Sequence, residues 1–207
     1  MDRRAAVLIL LGAGLWSVGG CRNRGAISEA ENPTARSVSS DMEPNDAPGE
    51  SFTFVRIKYS GRQEWSWLVD HPASDQNFSA RFQEVTGIPT DPNGKVLQLT
   101  DPDLRQYPFI YISEGGGVLF SDTEIQSLRE YLLGGGFLMV DDFWGEAEWR
   151  HFHTQIKRVF PDREPFELDL DHPIFNCFYK IEEKPQVPMI AVAIRNQSTG
   201  ITWERED

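Results

Sequence analysis

The sequence predicts an α/β fold: a mostly parallel sheet with helices on both faces. Three observations carry this. Short apolar, β-rich runs recur at 52–61, 95–99, 109–113 and 137–140, with a late one at 189–194. Segments of helical periodicity lie between several of them. The run at 109–113, FIYIS, is almost uniformly apolar, as a strand covered on both faces is.

The first strand is expected in FTFVRIKYSG, which alternates in part and is rich in β-formers. Residues 75–86 then place Phe78, Phe82 and Val85 on one helical face, and Gly87 stops the helix. KVLQL at 95–99 is the second strand and FIYIS the third. The clearest helix follows. Ser121 and Glu124 form a capping box, Ile125, Leu128 and Leu132 make a core-facing stripe, and the glycines at 134–136 end it. FLMV at 137–140 is the fourth strand. Trp149, Phe152, Ile156 and Val159 mark a further amphipathic helix that stops near Pro161, and MIAVAI at 189–194 is the late strand.

The 207 residues suffice for one domain with appendages, and 40% hydrophobic residues suffice for a core. A net charge of −12 argues against nucleic acid as a partner, because phosphate binding needs clustered Lys and Arg. It also disfavours docking on anionic lipid, so membrane association needs a specific anchor. MDRRAAVLILLGAGLWSVGGC supplies one: two arginines, an apolar run too short to span a bilayer, then small residues before Cys21. VGGC resembles the lipobox of bacterial lipoproteins, with an uncleaved signal anchor as the alternative. Residues 1–20 are thus expected to be a signal peptide, with Cys21 lipidated. Residues 21–51, polar and without apolar period, are expected to be a disordered tether, and 52–207 the folded domain. The expected location is the cell membrane or outer membrane, with the domain facing the periplasm or exterior. Cys177, in IFNCFY, then has no partner within the chain and is expected to be a buried small hydrophobe.

Ligands of parallel α/β sheets bind beyond the carboxyl ends of the strands. That rule singles out 113–117 and 141–145. Glu114, Gly115 and Gly116 follow the third strand, but SEGGGVLFSD lacks both G-x-G-x-x-G and GK[ST], so a turn passing close to other backbone is favoured over a phosphate cradle. Asp141 and Asp142 follow the fourth strand. As neighbours on an extended chain they point to opposite faces, which is unsuited to paired acid–base work on one atom. One of them with Glu114 could hold a divalent cation; the competing reading makes one a helix cap and leaves the other in solvent. His172, in DHPIF, is read first as part of a turn and second as a member of the same pocket. No catalytic triad, metal spacing or cofactor motif is legible.

FVRIKY, DHPASDQNFSARFQEVTGI, YPFIYISEGG, FSDTEIQSLREYLLGGGFLMVDD and RVFPDR…LDHPIF, in that order, resemble the bacterial domain of unknown function 4159. The resemblance implies a flavodoxin-like, class I glutamine amidotransferase-like fold, with kinship to the ThuA-like proteins. In amidotransferases the strand after such a glycine turn leads into an elbow that bears the nucleophilic Cys. Here MVDDFWG puts Asp141 or Asp142 in that place, so thioester chemistry does not carry over. The resemblance also implies that relatives continue beyond RNQSTGITWERED, so this chain is expected to be shortened. Two functions are expected. The first is a lipid-tethered, non-catalytic binding module, with an envelope protein or small carbohydrate as partner and no cofactor. The alternative is a hydrolase of sugars or envelope compounds that uses Glu114, Asp141 and Asp142, with or without a metal.

Overall fold

The computed structural model describes residues 51–61, 65–142 and 145–183, with positions 194, 195 and 198 besides. The expected leader, the tether up to residue 50 and all but the last residue of the 189–194 run lie outside the described residues.

Four strands form one sheet: β1 (Val55–Ile57), β2 (Lys95–Leu97), β3 (Phe109–Ile112) and β4 (Phe137–Val140). Three helices accompany them: α1 (Ala73–Thr86), α2 (Asp122–Leu133) and α3 (Gly145–Val159). The strand order is β2-β1-β3-β4, with every pairing parallel. The α/β class read from the sequence is therefore the class of the structure. The chain moves outward from β1 to β2 and then returns past it to β3. The order thus reverses between β1 and β3, the place where doubly wound sheets open a crevice.

The two faces of the sheet carry different chemistry. Val55, Ile57, Ile110, Ile112, Leu138 and Val140 join Leu128 and Leu132 of α2 and Phe152, Ile156 and Val159 of α3 in one buried apolar core. Each fully buried Leu or Ile contributes about 1.5–3 kcal/mol. The stripe expected on α2 is the one buried, and its capping box is present: Ser121 Oγ accepts from Glu124 N–H, and the Glu124 carboxylate accepts from Ser121 N–H.

The other face meets α1 and is aromatic and polar. Phe52 stacks on Phe82 at 4.3 Å, and Phe54 packs on Phe78 at 4.9 Å and on Tyr111 at 5.1 Å. Here the sequence reading of α1 was incomplete. Phe78, Phe82 and Val85 are only half-buried, and the fully buried residues of the helix are Asp75 and Ser79. Asp75 is buried because Arg56, at the centre of β1 and 0% exposed, points at it. Cys177 also departs from expectation. It is exposed, because the turn Pro173–Phe175 leaves its thiol on the surface beside the Ile174 carbonyl.

Candidate functional site

At the carboxyl ends of β1, β3 and β4 the crevice between β1 and β3 is closed by the chain itself. Gly61 bridges Val118, and Leu119 N–H donates to the Ser60 carbonyl at 2.9 Å. The Tyr59 hydroxyl donates to the Ser113 carbonyl at 2.8 Å. Burial, then the charge of Glu114, pushes its phenol well above the usual range. Residues Gly115–Gly117 form a single 3-10 turn rather than a phosphate cradle, with Gly115 N–H donating to the Asp141 carbonyl. A side chain at Gly116 would overlap Glu148 of α3, so glycine there lets the helix lie directly over the turn.

Above this closed floor stand the acids. Glu114 has φ 54° and ψ 48°, a left-handed conformation that costs an L-residue about 1–2 kcal/mol. Asp142 and Asp70 are left-handed as well, with φ of 62° and 58°. Three acids at loop positions, two of them just beyond strand ends and Asp70 just before α1, are therefore held in backbone states that glycine usually fills. Burial, then the charges of Asp142 and Glu148 and a hydrogen bond with Asp142, raises the Glu114 carboxyl from 4.5 to about 7. Near neutrality Glu114 is therefore partly protonated.

Asp141 belongs to the opposite face, where it continues the row of Phe137 and Met139. The Tyr111 hydroxyl donates to its Oδ1 at 2.7 Å. Burial raises its pKa, with Asp142 and Asp70 adding to the rise and Tyr111 and Arg56 opposing it. Tyr111 in turn lies under the Arg56 guanidinium, 4.9 Å from ring centroid to Cζ.

Arg56 is the hub that the sequence did not reveal. Its Nε lies 3.0 Å from both carboxylate oxygens of Asp75. Nη1 donates to the carbonyls of Trp67 and Val69, and Nη2 to Ser74 Oγ and Asp75 Oδ1. All five guanidinium donors are engaged, which fixes the 65–75 loop onto β1. Burial alone would raise the Asp75 pKa, but the Arg56 hydrogen bonds and charge, with help from His71 and Ser74, hold it below the usual carboxylate value. A charged residue inside the apolar run FTFVRI, with Asp75 heading the same helical stripe as Phe78 and Phe82, was the signal available.

The structure thus brings Glu114 and Asp142 together, with Gly115 and Gly116 beneath them, and sets Asp141 apart on Tyr111. His172 is not joined to them by any hydrogen bond or ion pair among the described residues. Its Nδ1 accepts from Ile174 N–H and caps the Pro173–Phe175 turn. A shallow cleft beside this edge is lined by Ser60, Gln98, Thr100, Leu119 and Ser121, and none of the three carboxyls lines it. Among the described residues, no three of His, Cys, Asp and Glu converge so as to hold a metal ion.

Among curated proteins, none matches the chain. The family profile of DUF4159, a domain of unknown function, matches residues 53–206, about three-quarters of the sequence, and the chain belongs to that family.

Proposed function

We propose that this protein is a lipid-tethered binding module whose ligand meets the carboxyl-lined edge of the sheet. The single observation that carries the reading is Glu114, held left-handed and raised to about 7 by burial beside Asp142 and Glu148. A carboxyl that is half protonated near neutrality both donates and accepts hydrogen bonds. It suits a small carbohydrate or the polar surface of an envelope protein, and the net charge of −12 turns away nucleic acid. The order of charged, apolar and small residues before Cys21 supports the lipid tether and a place at the cell membrane or outer membrane.

The test has two arms. Calorimetric titration of the full chain with mono- and disaccharides and with divalent cations should give binding that Glu114→Gln weakens. Wild-type binding that Glu114→Gln leaves intact overturns the assignment of the site. Labelled palmitate should enter the wild type and not Cys21→Ala, and equal labelling overturns the tether.

A second reading, a hydrolase of sugars or envelope compounds, is favoured by the same carboxyl. A general acid with a pKa near 7 works best near neutral pH. Product release from chromogenic glycosides, abolished in Glu114→Gln while binding persists, would select that reading.

A further inference from the structure

The cleft that the acids do not line lies beyond the carboxyl ends of β1 and β2, where Ser60 and Gln98 follow the two strands. A parallel sheet presents this end to ligands. Leu119 and the first turn of α2 form the facing wall, and the volume is about 360 Å³. That is room for a small molecule, since such sites span about 300–1,000 Å³.

The backbone around the cleft is committed. Leu119 N–H donates to the Ser60 carbonyl at 2.9 Å, and Gln98 N–H donates to Oδ2 of Asp101 at 2.6 Å. The Ser127 hydroxyl donates to the Leu99 carbonyl at 2.5 Å, which ties α2 to the end of β2. The side chains are not committed. The hydroxyls of Ser60 and Thr100 and the carboxamide of Gln98 have no hydrogen-bond partner among the described residues, and all three residues are exposed. Leu119, 43% exposed, adds an apolar wall. Among the described residues that line the cleft, the one acid is Glu124. Its Oε2 accepts from Ser121 N–H and from Ser121 Oγ, both at 2.8 Å.

These groups narrow the ligand. An anion would meet the Glu124 carboxylate, and a cation would find that carboxylate already held by the helix cap. A wholly apolar ligand would strip water from three polar groups and return no hydrogen bonds. A sugar ring meets every demand, because its hydroxyls pair with hydroxyls and a carboxamide while its C–H face packs on a leucine. We propose that this cleft binds a neutral saccharide, with Ser60, Gln98 and Thr100 bonding ring hydroxyls and Leu119 underlying the ring. The site goes beyond the acidic edge and is separate from it. Neither Glu114 nor Asp142 lines the cleft, so either site can fail without the other.

The test is amide NMR of the full chain during titration with cellobiose and, in parallel, maltose. Saturable shifts are expected at the amides of 98–100 and 119–123 and at the Gln98 carboxamide. Gln98→Leu and Thr100→Val remove side-chain groups and keep the backbone bonds, so both should melt like wild type and raise Kd about 2–10-fold. Glu84→Gln, on the exposed side of α1, should bind as wild type does. Should Gln98→Leu melt early, Thr100→Val decides. No saturable shift with either sugar, shifts confined to the neighbourhood of Glu114 and Asp142, or unchanged affinity in both cleft variants overturns the proposal.

Discussion

Two acids of this protein, the buried Asp75 and the half-buried Glu114, meet opposite fates. Asp75 is withdrawn from water beside a guanidinium whose donors all find acceptors, and its pKa falls. Glu114 is withdrawn beside Asp142 and Glu148, and its pKa rises to about 7. Burial penalises the ionised form in both, so the neighbour decides the sign. Asp75 is therefore a structural acid that fixes a loop. Glu114 costs the fold stability when ionised.

The largest effect that could break this comparison lies at Arg56. Replacing it by Met should destabilise by about 3–5 kcal/mol, because Asp75 is left buried without its countercharge. Denaturant melts of Arg56→Met, Asp75→Leu and the double variant should show the double losing less than the sum of the singles. Additive losses would mean that the pair is not one unit. The linkage has a definite sign. Because the folded Asp75 pKa is depressed, its contribution is present above the ordinary Asp value and is lost as pH falls through the folded value. Wild type should therefore lose stability in acid more steeply than the double variant.

This pair also marks the limit of what the sequence discloses. β3 and β4 were legible because their apolar runs are buried on a sheet covered by helices. α2 was legible because its cap and its stripe are both local patterns. Glu114, Asp141 and Asp142 were placed at strand ends by period and topology alone. The pairing of Arg56 with Asp75 spans 19 residues and depends on where α1 docks, which no local period records. The separation of Asp141 from Glu114 follows from alternation along β4. Its partner Tyr111 lies 30 residues away, across the β3–β4 pairing.

At Glu114 the sign is reversed and the effect smaller. Its folded pKa, about 7, lies above its ordinary value of 4.5, so stability is fully present below 4.5 and is lost as pH rises to about 7. At face value the ionised form costs a few kcal/mol, and solvent screening of this half-buried carboxyl reduces that to about 1–2 kcal/mol. Glu114→Gln, which cannot ionise, should therefore be more stable than wild type by about 1–2 kcal/mol near pH 8 and nearly equal to it near pH 4. Chemical denaturation at the two pH values checks this. An equal difference at both would show that Glu114 is not the titrating group.

The smallest effect concerns Tyr111, which touches both halves of the comparison. Its ring lies under the Arg56 guanidinium and its hydroxyl donates to Asp141. Tyr111→Phe keeps the ring and removes only the donor. Arg56 and Asp75 should then be undisturbed, while Asp141, already raised by burial, loses one of the two influences that favour its ionised form. The loss should be about 1 kcal/mol near pH 8, where the hydrogen bond meets a carboxylate, and smaller in acid, where Asp141 is protonated. Carbon-13 NMR of the aspartate carboxyls should show the Asp141 titration moving to higher pH, with the Asp75 signal unmoved. If Asp75 shifts together with Asp141, Tyr111 transmits charge between the two halves and they are one network. If Asp141 alone moves, the anchored loop and the acidic edge share a wall and titrate independently of the Tyr111 hydroxyl.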